Sequence, residues 1–599
     1  MKFPSLSEFF QSAKSSAKRF PLVLLTAFVS FSYFAVATEH NYNLHQLIPA
    51  FTLILGIPLF FAIDIHLESR KTCSAKHRIF FWVIGTAFLF SFHFAFGTFA
   101  SERFAINYLL VSLLIHLLVS FSGYFSFEND NGFWQFNRII FLRFLLSLLY
   151  ASVFFGGISI ALISISKLFS VDISGNFFLQ LWLFSIFFIH TWHFLSGIPN
   201  DITKLGTEQH YPKGLRVFVQ FLLIPIVSIY MTILYIYMSK ILFTGIWPQG
   251  YIGWLVSIIS TLGIFNLLLL DPEKIRPQYQ WIKTYTKIFY LAIIPLLVML
   301  FAAIGQRISE YGVTEKRYVL TILGMSLLLL AFYFLLSKSK NIKFIPMSLF
   351  AVCLIALWGP ISASNMSLRS QTHRLESLLM KNQLLEDGKA TSANNINDIS
   401  DSDAHHISSI LDYIIQNHGV EKLSNIFPKE VIESTQKDPQ YTWSTRKPSQ
   451  QNSIEALKYL NIEYHPNPES QSKIVYETFQ SEDEDNSIEL PKFKYMVHLR
   501  YLNESFLLGP KREKIDYSVD GMTIVFTGNK GVVAKFDLEP FVENLRSYYD
   551  KYNIPAKLMW LDSTEGNNSF KIHITRLDIS TKKEGSKISS MSGFLFINE

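Results

Sequence analysis

The sequence predicts an α-helical polytopic membrane bundle of about eleven transmembrane helices followed by an extracytoplasmic α+β domain. Three observations carry that prediction. Half of the 599 residues are hydrophobic, with 55 Phe and 27 Tyr, and the mean hydropathy is positive, which removes the chain from the soluble globular class. The apolar residues gather in runs long enough to cross a hydrocarbon layer of about 30 Å, which takes about 20 helical residues. The runs stop near residue 362, and beyond it the chain turns polar, with stretches that alternate like strands.

Taken in order, the apolar runs fall at 21–37, 47–65, 79–100, 106–126, 139–169, 176–197, 216–243, 250–270, 285–305, 318–337 and 343–362. The first twenty residues, MKFPSLSEFFQSAKSSAKRF, are basic, but no A-x-A cleavage site follows, so the first run reads as a retained span. An odd number of spans puts the two termini on opposite sides. Alternate loops carry the cations: Lys2, Lys14, Lys18 and Arg19; Arg70, Lys71, Lys76 and Arg78; Arg138; Lys204, Lys213 and Arg216; Lys274, Arg276, Lys283 and Lys287; Lys338, Lys340 and Lys343. By the positive-inside rule those loops are cytoplasmic, so the N-terminus is inside and the C-terminal tail outside. The same clustering accounts for the net charge of +6 without a nucleic-acid partner.

One loop departs from the pattern. The stretch GQRISEYGVTEKRYVL, residues 305–320, places Arg307, Lys316 and Arg317 on the side expected to be outside. Glu310 and Glu315 are available to pair with these cations, Tyr311 and Tyr318 suit an interfacial setting, and Gly312 permits a tight bend. A salt-bridged interfacial turn and a ligand site both fit.

The chain resembles bacterial polytopic membrane proteins of the domain-of-unknown-function family 4153. The resemblance rests on YIYMSKILFTGIWPQGYIGWLV (Tyr235 to Val256), RISEYGVTEKRY (Arg307 to Tyr318) and WGPISASNMSLRSQTHRLESLLMKNQLLEDGK (Trp358 to Lys389). It implies a bacterial cytoplasmic (inner) membrane location and brings no activity and no catalytic residues with it. It does mark the charged break as a specified feature of the chain.

Ionisable groups at membrane depth are the other candidates. They are His93, His116, Arg143, His190 and His193, with Asp64, His66 and Glu68 near the cytoplasmic end of the second run and Asp271 closing the eighth. Arg143 can snorkel or pair with Asp64, and His190 and His193 lie three apart on one helix face. Such a pair can relay protons or hold a metal, but no third ligand lies near in sequence, so no metal is expected and no cofactor either. Cys73 and Cys353 stand far apart with no ligand spacing around them. Pro225 and Pro295 interrupt two spans, a pattern that lines cavities in transporters and also occurs in ordinary membrane helices.

The domain plan is a cytoplasmic N-terminus at 1–20, the membrane region at 21–362, a stalk and helical segment at 363–427, a polar linker at 428–490 and a small α+β domain at 491–599. Leu368, Leu375, Leu378 and Leu379 line one side of the stalk helix, and Ile407, Ile410, Leu411, Ile414 and Ile415 form the apolar face of the next. IDYSVDGMTIVFTG reads as a hairpin turning at Asp520 and Gly521. A strand at 532–538, a helix at 539–553 and strands near 557–561, 570–578 and 594–598 complete the domain.

No nucleophile elbow, Walker loop, dinucleotide fingerprint or H-E-x-x-H is present, which favours a protein that is not an enzyme. The leading reading is an envelope anchor or sensor embedded in the lipid bilayer, whose outer domain binds a protein, glycan or lipid partner. A small-molecule or lipid transporter is the first alternative. A membrane transferase acting on a lipid-linked substrate is the second, with Arg307, Glu310, Tyr311, Glu315, Arg317, His373 and Arg374 at its outer site.

Overall fold

The computed structural model describes residues 14–40, 42, 44–70, 74–96, 102–125, 130–207, 211–245, 247, 251–338, 340–392, 399–436, 448–462, 475–481, 493–499, 505–508, 513–529, 531–546, 554–565, 568–582 and 585–598. The chain forms two compact units, Met1–Gln371 and Thr372–Glu599.

Among the described residues of the first unit, ten helices are long and apolar enough to cross a membrane. They are α1 Pro21–Glu39, α2 Leu44–Ser69, α3 Ala75–Phe96, α4 Glu102–Ser122 and α5 Asp130–Phe169. Then come α6 Gly175–Ser196, α7 Lys213–Thr244, α8 Tyr251–Leu270, α9 Trp281–Tyr311 and α10 Glu315–Leu336. Each overlaps one of the first ten apolar runs. The eleventh run, expected as a span over 343–362, is helical over only part of its length. It forms α11 Phe344–Leu357, only 14 residues, which at about 1.5 Å per residue reaches about 21 Å. The helix stops there because Gly359 takes φ 92° and Pro360 follows it.

Three clusters of buried side chains hold the described residues of this unit together, one of them made by Phe133, Trp134, Tyr211, Leu215, Leu270 and Ile282. Phe20, Leu55, Phe61, Val111 and Leu357 belong to another, built chiefly from α1 to α4 with α11, while Leu234, Val256, Phe289, Leu297 and Leu330 belong to one built from α7 to α10. The helices are apolar nearly all round, so position in the bundle and not an amphipathic stripe decides which face is buried. The two prolines differ in effect. Pro295 sits inside the unbroken α9, so the expected interruption there does not occur. Pro225 follows a π-helical turn at Val219–Leu223 in α7, where a widened turn relieves the clash of its ring with the preceding carbonyls. A second π-helical turn, Ser185–His190, lies in α6.

In the second unit, α12 Ala363–Lys381 enters from the first and buries Leu375 and Leu379. A short hairpin of β1 Leu385–Glu386 and β2 Lys389–Ala390 follows. Ser400 then caps α13 Asp401–His418 by accepting from the Asp403 N–H, and Ile407, Leu411 and Ile414 of this helix are fully buried, as its pattern predicts. The expected linker at 428–490 holds structure instead: α14 Lys429–Gln436, α15 Pro448–Tyr459 and strand β3 Val475–Gln480.

The C-terminal sheets are antiparallel. β4 Tyr495–Leu499, β9 Trp560–Glu565, β10 Asn568–Lys582 and β11 Gly585–Asn598 join β3 in a five-stranded sheet of order β3-β10-β11-β4, with β9 also pairing β10. β5 Ser505–Leu508, β6 Glu513–Asp520, β7 Thr523–Gly528 and β8 Gly531–Asp537 form a four-stranded meander. The β6–β7 turn is the hairpin read at Asp520 and Gly521. Inward residues of both sheets, among them Phe479, Tyr517, Phe526, Phe536, Ile572, Leu577 and Leu595, share one core with α16 Glu539–Arg546. The rest of the expected 539–553 helix lies outside the described residues.

Candidate functional site

The charged break between α9 and α10 is a joint assembled from backbone groups. α9 ends at Gly312, whose φ of 72° and ψ of 179° suit glycine alone. Thr314 caps α10, its hydroxyl accepting from the Arg317 N–H. Arg317 folds back across the break, donating to the Gly312 carbonyl at 2.9 Å and the Tyr311 carbonyl at 3.5 Å, and so satisfies acceptors that the end of a helix leaves open. The Arg307 and Arg317 guanidiniums lie 5.7 and 5.4 Å from the centre of the Tyr311 ring. Glu310 pairs with Arg307 at 3.7 Å and accepts from Gln306 at 3.1 Å.

Two quoted strings meet here. The Gln371 side-chain amide donates to the carbonyls of Tyr311 and Val313, both at 3.0 Å, and the Val313 N–H donates to the Ser370 hydroxyl at 2.9 Å. The Tyr318 hydroxyl donates to the Ile361 carbonyl. Thus the S-Q pair of the stalk helix holds the Y-G-V-T segment by its main chain. Glu315, offered above as a partner for the loop cations, is 3 % exposed and faces Arg103, in the first turn of α4, at 3.8 Å. Arg103 lies outside the quoted strings; in the sequence it stands only as an isolated cation on the side expected to be outside, with no site role assigned.

Arg374 belongs to the second unit, where it acts on His406. Burial first, and then the Arg374 charge, hold the His406 imidazole below its usual range. Burial opposes ionisation of Asp403, yet the Lys381 ammonium at 2.8 Å and the Asn382 amide keep its carboxyl below the usual range. His573, on β10, is buried with both ring nitrogens lacking a hydrogen-bond partner among the described residues, and burial lowers its pKa.

The intramembrane candidates separate into three cases. His116 bonds its own helix through Nδ1 and the Ser112 carbonyl at 2.7 Å, and is exposed on the bundle surface. His93 buries Nδ1 without a hydrogen bond, edge-on to Phe94. His190 and His193 share a face as their spacing predicts, and both meet α5. The His190 ring stands edge-on to Phe144 with centroids 5.0 Å apart, while His193 reaches the Ser147 hydroxyl at 2.8 Å and stacks on Tyr150 at 4.4 Å. Arg143, one turn before Ser147, lies against Gly197 at the end of α6. Among the described residues no three His, Cys, Asp or Glu side chains group as a metal site.

Two ion-pair networks lie at the ends of spans; sequence reasoning named Asp64 and Glu68 of the first but not their partners, and passed over Glu273 of the second. Arg19 forks onto Glu68 at 2.8 and 2.7 Å and donates to the carbonyls of Ile198 and Pro199. Beside it Asp64, 1 % exposed, accepts from Arg78 at 3.0 Å and Trp82 at 3.1 Å. Glu273, fully buried, is paired with Arg216 at 2.7 Å and Arg276 at 3.2 Å. The available signal was Asp64 and Glu68 four apart at a helix end beside a basic loop, a spacing that puts both acids on one face.

A profile described as domain of unknown function (DUF4153) matches residues 11–393. The chain belongs to that family. The DUF4153 region therefore takes in α1 to α12 and both strings that form the joint, while the C-terminal sheets lie beyond it. An uncharacterised protein of Pasteurella multocida (strain Pm70) is 24% identical over 383 residues, covering 63% of this chain and 62% of its own length. The alignment thus spans less than two thirds of that relative. No solved structure matches.

Proposed function

We propose that this DUF4153 protein is a multi-pass anchor of the bacterial inner membrane that carries its second unit on the side opposite the cytoplasm, where that unit binds a protein, glycan or lipid partner of the envelope. The alternation of Lys and Arg between successive connections supports the reading. The connections after α2, α6, α8 and α10 carry Lys or Arg, whereas 40–43, 245–250 and 358–362 contain neither. The reading counts α11 as a crossing, its short length made up by the apolar turn that follows. The joint fits an anchor better than a catalyst, because the acids a transferase would use are committed: Glu310 to Arg307 and Gln306, Glu315 to Arg103.

The test is a pair of alkaline phosphatase fusions in a bacterial host. A fusion after Glu599 is expected to be active and one after Arg70 inactive; activity only at Arg70 reverses the topology, and inactivity at both removes α11 from the crossings. Cys73 gives a second readout, since a membrane-impermeant thiol reagent should not label it in intact cells, and Cys353 is buried.

A transporter reading draws on one observation, the π-helical turn that brings His190 and His193 against α5. It requires a proton flux across vesicles that His190→Ala abolishes at unchanged protein level. Equal flux in the variant and the wild type ends that reading.

A further inference from the structure

The Arg143 guanidinium is a cation on the surface of a membrane helix without a counter-charge. The residue is exposed, and among the described residues no acceptor lies within hydrogen-bond or ion-pair distance of it. Asp64, the acid that sequence reasoning offered it, is engaged by Arg78 instead. An unpaired charge at this depth is costly, and such residues ordinarily pair or snorkel. Here the side chain is held down: it lies so close over Gly197 that a Cβ there would collide with it.

A second donor lies beside it. When the Ser147 hydroxyl donates to Nδ1 of His193 at 2.8 Å, the imidazole proton sits on Nε2, for which the described residues supply no acceptor. His193 and Arg143 are near enough for their charges to interact. Two donors without an acceptor call for an anion. The surrounding surface of α5 is apolar and exposed, with Phe144 at 45%, Leu146 at 39% and Tyr150 at 55%. That combination suits an amphiphile, whose acyl chains lie along α5 while its headgroup meets the donors, and not a soluble anion, which would have to leave water to reach it.

We propose that Arg143 and His193, seated over Gly197, form a binding site for the phosphate of an anionic phospholipid. The carbonyl end of α6 also favours a cation at this place, so a purely local role for Arg143 is the reading to be beaten. The inference does not depend on which side of the membrane the second unit occupies.

The experiment uses the purified full chain in nanodiscs of phosphatidylcholine containing phosphatidylglycerol, with retained lipid counted by native mass spectrometry after transfer to detergent. Wild-type protein is expected to retain phosphatidylglycerol in preference to phosphatidylcholine. Arg143→Gln should lower that preference several-fold, whereas Arg143→Lys should keep most of it. Gly197→Ala retains the charge but displaces the guanidinium, and decides the matter if Arg143→Gln is not recovered folded; it too should lose the preference. An Arg143→Gln or Gly197→Ala protein that retains phosphatidylglycerol as the wild type does overturns the site. Displacement of the lipid by inorganic phosphate or glycerol phosphate overturns the lipid assignment in favour of a soluble anion.

Discussion

The joint at α9–α10 and the cluster between α5 and α6 are both polar islands in an apolar bundle, and they are built in opposite ways. At the joint the polar groups named above answer one another: Arg317 closes the end of α9, Gln371 spans two carbonyls, Ser370 accepts from Val313, and Glu315 faces Arg103. In the cluster Arg143 and Nε2 of His193 have donors to spare. The contrast separates charge that closes a fold from charge that awaits a ligand. Density of charged residues in the sequence pointed to the joint, yet the arrangement there leaves the less to a ligand.

The largest expected effect comes from breaking a pair at the joint. Glu315→Ala leaves Arg103, itself 19% exposed, without the acid it faces. Removing one partner of a buried pair typically costs about 3 to 5 kcal/mol, so a clear fall in the thermal midpoint of the purified protein and in its membrane abundance is expected. An unchanged midpoint would show that the Arg103 contact holds nothing. Gln371→Ala comes next. It deprives the Tyr311 and Val313 carbonyls of a shared donor, a loss of about 2 kcal/mol for two hydrogen bonds. Gln371→Glu should be no better, because a carboxylate accepts where the carbonyls need a donor. Rescue by glutamate would contradict the geometry described here.

How far this contrast was visible in the sequence depends on the range of the contacts. Helix placement follows from local hydropathy, so each apolar run overlaps a helix, and α11 falls short only because Gly359 and Pro360 end it early. The break was legible as a turn through Gly312, while the Thr314 cap was not read from the sequence. Its fastenings were not legible either, since Gln371 lies 60 residues from Tyr311, and Arg103 opens α4, a helix far from Glu315 in sequence. Strand β3, in the supposed linker, was hidden by composition: VYETFQ alternates, but it is flanked by polar residues and gains its place only by pairing with β10. Arg143 was picked out by its charge alone, while Gly197 and Ser147, which define its setting, carry no signal in one sequence.

A smaller effect is expected in the second unit, where it depends on pH. His406 and His573 are held neutral below the ordinary histidine range, so the unfolded chain binds more protons than the folded one once the pH falls through about 6.5. Their contribution is complete above that pH and declines below it. Asp403, with its carboxyl held below the usual range, adds its own loss only near and below about pH 4. Thermal midpoints of the full chain between pH 7 and pH 5 should therefore fall, and His573→Phe should flatten part of the decline. At neutral pH the same change removes a buried group with two unpartnered nitrogens and should stabilise by up to about 1 kcal/mol. A His573→Phe protein with the wild-type pH profile would place the titration elsewhere.

The smallest expected effect is the most informative about the contrast. In detergent free of anionic lipid, Arg143→Gln should change the stability of the folded protein by no more than about 0.5 kcal/mol, because the guanidinium gives up no partner among the described residues. Adding phosphatidylglycerol should then raise the thermal midpoint of the wild type and leave that of the variant almost unmoved, since a ligand stabilises only the state that binds it. Glu315→Ala supplies the control: its midpoint should start lower and still rise with the lipid, because its cluster is intact. If Arg143→Gln instead falls as far as Glu315→Ala before any lipid is added, Arg143 is a fastening of α5 to the end of α6, and the two islands are built alike.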